Sequence, residues 1–403
     1  MSLKLKAKPY LLKNKIQNYE WGAKGKNAYI PQLLQLDYKE DQSYAELWIG
    51  AHPKAPSKIQ LNDEEYSFDT LISNGSIKGV DPLEKLPYLL KVLSAGEALS
   101  IQAHPNKEQA VWLNKLDPDN YSDDNHKPEI AIAIDSLTAL AGFRPAQEIK
   151  DVFKEYSIFK ELLNGEVDFF INSFGEENEI LAFKGFYEKL LKLSVSEPII
   201  FLEKLNQLEK FIVSKESHDE KEVLFLQLKK KYTKADVGLL SIFLLNHLTL
   251  SKGEAIFLYS GVPHAYLSGN IIECMANSDN VVRAGLTPKF VDVDNLVKIL
   301  DYNLTLPKTI RINDNSQISD YKVPISDFEI SVLKLNKDED FIIEIDNKPI
   351  VILLISGVLI FKKNSEQWSH TQGDALLLPV ELENITINAL GDNSLAFIVR
   401  IPN

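Results

Sequence analysis

Leu99-Ser100-Ile101-Gln102-Ala103-His104-Pro105 reads as a short strand carrying two metal-capable side chains. Side chains alternate across a strand, so Gln102 and His104 point to one face, Ser100 joins them, and Ile101 and Ala103 point to the other. Two further clusters lie downstream. Asn125-His126-Lys127-Pro128-Glu129 brings an imidazole, a cation and a carboxylate close together, and Gly261-Val262-Pro263-His264-Ala265-Tyr266 sets another imidazole beside a rigid proline. Together these segments supply Gln102, His104, Glu129 and His264, a nitrogen and oxygen set suited to a borderline divalent ion such as zinc.

The chain has 403 residues, too many for one simple core, so two or three domains are expected. Apolar residues at 45% and charged residues at 25% match a soluble globular protein. No apolar run approaches the roughly 20 residues that span a bilayer. The opening Met1-Ser2-Leu3-Lys4-Leu5-Lys6 lacks the apolar core of a secretory signal. A single cysteine, Cys274, excludes an internal disulfide and a multi-cysteine zinc site. These features point to the cytoplasm and away from a membrane. A net charge of −13 argues against nucleic acid as a partner, because phosphate backbones are held by basic surfaces. An anionic substrate needs a local cationic pocket, for which Lys91, Lys127, Arg283 and Lys289 all lie in or near the motif segments. No sequence feature sets an oligomeric state, and a monomer is compatible with all of them.

Short β-type runs at 45–50, 88–93, 99–103 and 130–134, punctuated by Pro and Gly, mark the first part of the chain. From 146 to 236 the apolar spacing turns helical. Ile149, Val152, Phe153, Tyr156 and Phe159 recur three and four apart, as do Leu202, Leu205, Leu208, Phe211 and Ile212. β-type runs return at 255–259, 270–275 and 280–284. They dominate from 320 onward, at 330–335, 341–344, 349–355, 357–361, 375–378, 385–389 and 396–399. The metal-capable residues lie on both sides of the helical stretch. The expected fold is therefore mainly β with an α-helical domain inserted. One β-domain is built from 1–145 and 237–320, a helical domain from 146–236, and a C-terminal jelly-roll β-domain from 321–403.

An isolated strand histidine is more often a hydrogen-bonded core residue than a ligand, and Gln102 alone reads as a satisfied buried amide. Glu129 is harder to explain that way. It opens the apolar run Ile130-Ala131-Ile132-Ala133-Ile134, where a carboxylate is costly unless paired or metal-bound. Arg283 leaves the turn Asn277-Ser278-Asp279-Asn280 among Val281, Val282, Ala284 and Gly285. A guanidinium in such company needs an anion, either a carboxylate such as Glu273 or Asp279 or a substrate phosphate. His218 in a solvated stretch, His247 at the end of a helix-like run and His370 in an expected turn are assigned no function. Gly22-Ala23-Lys24-Gly25-Lys26 has the composition of a phosphate loop but not its spacing.

Taken together, the segments resemble the type I mannose-6-phosphate isomerases, zinc enzymes of the cupin group. The resemblance runs through Tyr19-Glu20-Trp21-Gly22, Tyr44-Ala45-Glu46-Leu47-Trp48-Ile49-Gly50-Ala51-His52-Pro53 and Leu86-Pro87-Tyr88-Leu89-Leu90-Lys91. It continues through the three clusters above and Met275-Ala276-Asn277-Ser278-Asp279-Asn280-Val281-Val282-Arg283-Ala284-Gly285-Leu286-Thr287-Pro288-Lys289. It implies cupin-type β-domains, the first of them catalytic, and one zinc per chain on Gln102, His104, Glu129 and His264. It implies a reversible conversion between mannose 6-phosphate and fructose 6-phosphate. Arg283 falls at the family's active-site arginine. His126, Lys127 and Asp279 fall where proton transfer has been placed, and Ser100, Lys91, Glu273 and Lys289 fall in the substrate pocket.

Moving a proton between C2 and C1 of a sugar phosphate passes through an enediol. The site therefore needs a group that stabilises an oxyanion and an acid/base group over both carbons. Arg283 holds its proton too firmly for a base and is expected to stabilise the enediolate. Lys127 and Asp279 are the candidate proton carriers, and Lys91, Ser100 and Lys289 the candidate phosphate anchors. Two other readings stand beside this one: a different cupin metalloenzyme, such as an iron oxygenase, and a metal-stabilised sugar-binding module without turnover.

Overall fold

The computed structural model describes residues 3–313 and 315–402. Three adjacent strands, Glu129–Ala133, His264–Ala276 and Tyr88–Ala95, form the centre of an 11-stranded sheet. All three are buried on both faces over the length they share. Alternation then sorts their side chains. Leu90, Val92, Ile130, Ile132, Ile272 and Cys274 pack in a core shared with Val351, Leu353, Leu377 and Val399 of a second sheet. The opposite face carries Lys91, Glu129, Ala131, Ala133 and Glu273, aligned by the register Lys91↔Glu273 and Glu273↔Ala131. Large branched side chains fill the first face, whereas on the other Ala131 and Ala133 pack with Leu93, Leu258 and Ile271 beside the charged groups. The same sheet takes in Glu46–Ile49, Ile101–Ala103, Ser136–Phe143, Leu245–Ser251 and Val282–Gly285.

The strands expected beyond 330 are present as Glu329–Leu335, Asp340–Glu344, Ile350–Ser356, Val358–Lys363, Ala375–Leu378, Asn384–Ala389 and Ser394–Arg400. They form an eight-stranded and a four-stranded sheet around Leu333, Ile352, Phe361 and Ile387. The eight-stranded sheet does not stop at 321. Tyr10–Lys13 pairs with Ala375–Leu378, and Lys58–Leu61 and Glu64–Ser67 extend it. An unpaired strand edge is a liability, and here residues from the start of the chain cover it.

The helical stretch expected at 146–236 holds the helices from Ala146–Glu155 to Glu220–Lys231, and a further helix, Gly238–Leu244, follows. Pro198 opens one helix, and Asp219 and Glu222 form a capping box at the start of another. The helices meet the sheet through aromatic rings. Phe183 and Tyr187 of helix Glu179–Ser196 each lie 4.8 Å, edge to face, from Phe143 at the end of Ser136–Phe143. Two histidines lie elsewhere than expected. His247 sits in the strand Leu245–Ser251, because the helix Gly238–Leu244 ends at Leu244 and the chain passes directly into that strand. His370 lies in the strand Glu366–Thr371. Among the described residues no helix is long and apolar enough to cross a membrane.

Replacing Phe183 by Ala empties the contact that docks the helices on Phe143, and such truncations of a buried ring cost about 3–5 kcal/mol. Thermal unfolding of Phe183→Ala should therefore begin well below the parent midpoint. An unchanged melting curve would show that the helices are held to the sheet by other contacts.

Candidate metal centre and its surroundings

Glu129 opens its strand on the alanine-lined face, and two imidazoles reach it: His264 from the start of the neighbouring strand His264–Ala276, and His104 from just past Ile101–Ala103, which pairs with that strand. His104 Nε2 lies 3.4 Å from Glu129 Oε2, and His264 Nε2 lies 3.2 Å from Glu129 Oε1. All three side chains are about 1% exposed. The candidate ligand atoms fall within 4.8 Å of one another. His104 Nε2, Glu129 Oε2 and His264 Nε2 are buried without a hydrogen-bond partner. Buried polar atoms are ordinarily satisfied, so three orphans aimed at one point fit a missing cation.

The surrounding chain prepares these atoms for that role. His104 Nδ1 is 2.8 Å from the Asn280 carbonyl, and His264 Nδ1 is 2.9 Å from the Val262 carbonyl. A carbonyl only accepts, so each Nδ1 carries the proton and each Nε2 presents a bare lone pair. Burial, followed by the nearby Lys127 charge, pushes the His104 imidazole down to about 4, which keeps it neutral near pH 7. Burial acts to raise the Glu129 carboxyl, but Lys127, His104 and His264 override it and hold it well below the usual range. The Tyr266 hydroxyl donates to Glu129 Oε1 at 2.8 Å and fixes the carboxylate. Sequence reading gave Tyr266 no role, although its position two residues from His264 on one strand put it on the same face. The Asn280 carbonyl had no comparable signal, because a backbone acceptor leaves no mark on residue type.

Gln102 is brought beside this cluster by strand register. It pairs with His264 on one side and with Arg283 on the other. Residues directly opposite in an antiparallel sheet share a face with Cβ atoms about 4.5–5.5 Å apart. Arg283, Gln102 and His264 therefore form one rung across three strands. Neither Glu273 nor Asp279 pairs with Arg283. Its half-buried guanidinium has no hydrogen bond or ion pair among the described residues, and burial lowers its pKa.

The remaining expected residues divide into three groups. Lys127 is buried with Nζ 3.6 Å from Glu129 Oε2, so it belongs to the centre. Lys91 is not a free cation. Its Nζ lies 2.8 Å from Glu273 and 3.8 Å from Glu46, over the Trp48 ring. Burial works against this ammonium, but Glu273 and Glu46 raise its pKa well above the ordinary value. Asp279 is held by Lys54 at 2.7 Å and His52 at 3.4 Å, and these two outweigh its burial and depress its carboxyl strongly. Ser100 is half-buried and Lys289 is exposed, and neither side chain has a partner among the described residues. His126 turns elsewhere. Its Nε2 is 3.0 Å from both carboxylate oxygens of Asp327, just before Glu329–Leu335. Burial above all, then Glu273 and Asp327, raises the pKa of Cys274, which packs in the core between the two sheets. His126 thus contacts the far side of the sheet, because neighbours in extended chain alternate and Lys127 takes the side of Glu129. A cavity of about 770 Å³ beneath helix Glu220–Lys231 also lies off the centre. It opens at Leu267 and Thr138, across the sheet from His264.

Fold and cluster together define a cupin-type metalloprotein with two histidines, a carboxylate and an adjacent amide at its centre. Residues 10–146 match the family described as phosphomannose isomerase type I, catalytic domain. Rat mannose-6-phosphate isomerase is 39% identical over 85% of this chain and 86% of its own length. Arabidopsis mannose-6-phosphate isomerase 2 is 33% identical over 96% and 91%. The Salmonella typhimurium mannose 6-phosphate isomerase, solved with fructose 6-phosphate and zinc, superposes with a TM-score of 0.83. It is 26% identical and covers 98% of this chain and 100% of its own. The chain belongs to the type I mannose-6-phosphate isomerase family.

Elemental analysis should find about one divalent ion per chain, lost in His104→Ala and His264→Ala. Tyr266→Phe should retain the ion but release it to chelator about 10- to 100-fold more readily, the usual effect of losing a group that orients a ligand. A chelator titration identical to the parent's would show that the hydroxyl does not set the carboxylate.

Proposed function

We propose that this chain interconverts mannose 6-phosphate and fructose 6-phosphate through an enediol at a zinc ion held by Gln102, His104, Glu129 and His264. The observation that carries this reading is a partnerless guanidinium, Arg283, set on the same rung as a ligand cluster with three bare atoms. Bound zinc supplies a Lewis acid and an orienting centre for the sugar oxygens. One carboxylate among neutral donors leaves the site net positive, which suits a reaction that builds up negative charge.

Arg283 meets the charge of the enediolate with a proton that it does not release. Lys127, buried against Glu129, carries the proton between C2 and C1. Asp279 is too weak a base for a carbon acid, because Lys54 and His52 hold it ionised far below the usual range. It serves to orient His52 and Lys54. The phosphate is taken by Lys289 and Ser100, whose side chains are uncommitted. Lys91 is neutralised by Glu273 and Glu46 and instead fixes the floor of the pocket. The buried, unpaired Cys274 fits a reducing compartment such as the cytoplasm.

An assay that couples mannose 6-phosphate consumption to fructose 6-phosphate formation tests the reading. Activity should vanish with a chelator and return with zinc. Arg283→Ala should retain its zinc and turn over at least about 100-fold more slowly, the scale of losing one oxyanion donor. Near-parent turnover in that variant would remove Arg283 from the reaction.

A further inference from the structure

Among the described residues the Arg283 side chain has no hydrogen bond or ion pair, though Tyr121 lies near enough to act on its charge, so its backbone largely decides where the guanidinium sits. On one side that backbone is fixed by pairing with Gln102. On the other side the register slips between Arg283 and Gly285. The chain then leaves the strand through Gly285 at φ +149° and Leu286 at φ +53°. A branched residue in the left-handed region is uncommon, and such conformations persist where surrounding groups hold them. Here the holding group is the carboxylate of Asp236. Its Oδ1 accepts the N–H of Gly238 at 2.8 Å and that of Leu286 at 2.9 Å, and its Oδ2 accepts the N–H of Thr287 at 3.2 Å. The two chains approach too closely for side chains. A Cβ on Gly285 would lie 2.5 Å from the Gly238 nitrogen, and one on Gly238 would lie 2.6 Å from the Leu286 nitrogen.

Asp236 belongs to the link between helix Glu220–Lys231 and helix Gly238–Leu244, where the helical stretch returns to the sheet. We infer that Asp236 is a positioning residue for the isomerisation: it clamps the turn 285–287 and so holds the Arg283 guanidinium on the metal-ligand face. This rests on the role given to Arg283 above. It assigns the helical insertion a part in the chemistry, exerted through Arg283 and without contact to sugar or metal. The chemistry of the clamp explains the choice of residue. Three N–H donors converge on one side chain, and a carboxylate offers only acceptors. An amide of the same shape would turn an NH2 toward one of those donors.

The test compares kcat and KM for Asp236→Asn, Asp236→Ala, Arg283→Ala and the double variant Asp236→Asn/Arg283→Ala, each expressed per zinc-loaded molecule. Asp236→Asn should lower kcat on the order of 10- to 100-fold, the cost of a small misplacement at a reacting centre, with KM and zinc content little changed. The double variant should be no slower than Arg283→Ala alone, since the clamp then has nothing left to place. If the two losses multiply, or if Asp236→Asn runs at parent speed, the clamp is overturned while the role of Arg283 stands. If Arg283→Ala itself runs at parent speed, the assigned role of Arg283 fails first. Should Asp236→Ala not fold, the isosteric Asp236→Asn decides the matter.

Discussion

Two imidazole nitrogens and a carboxylate oxygen, buried, turned toward one another and without a hydrogen-bond partner among the described residues, are the constraint around which this protein is organised. Polar atoms stripped of water and left unpaired are destabilising by several kcal/mol together. The fold accepts that burden only because it keeps everything else in the neighbourhood satisfied. The far nitrogens of both rings end on carbonyls, the second carboxylate oxygen takes a tyrosine hydroxyl, and a lysine faces the pair. An arrangement this complete except at one point is specified for an ion.

The charges beneath the centre form a continuous chain. Trp48 donates to Glu46 at 2.5 Å, Lys91 lies between Glu46 and Glu273, and Tyr266 engages both Glu273 and Glu129. One ammonium thus offsets two acids, and the carboxylate at the metal position is left to balance the ion. Such networks act as units, since each member is costly once its partner is gone. Lys91 and Glu273 are joined to each other within this network.

Much of this was legible in the chain. The strand periods of 88–93 and 130–134, the helical spacing of 146–236 and the dense short strands after 330 follow from side-chain alternation, which sequence records directly. His104, Glu129 and His264 were legible as a possible metal group because ligand chemistry restricts residue type. What escaped reading depends on pairing across long separations. Nothing near Tyr10 announces Ala375–Leu378 as its partner, and nothing near Arg283 announces Asp236. The direction of His126 was likewise hidden, because it depends on Asp327 about two hundred residues away. The helix Gly238–Leu244 passes directly into the strand Leu245–Ser251 with no turn between them, which displaced His247.

The pairing of Tyr10–Lys13 with Ala375–Leu378 sets an order of events during synthesis. Tyr10–Lys13 can meet Lys58–Leu61 early, but its other edge must wait for Ala375–Leu378. Until then the ribosome carries a nascent chain with an open, apolar β edge, exposed to partners other than its own. Ala375–Leu378 therefore does more than complete a second β core: it closes the remaining edge of a strand made far earlier, a pairing of long sequence separation that forms slowly.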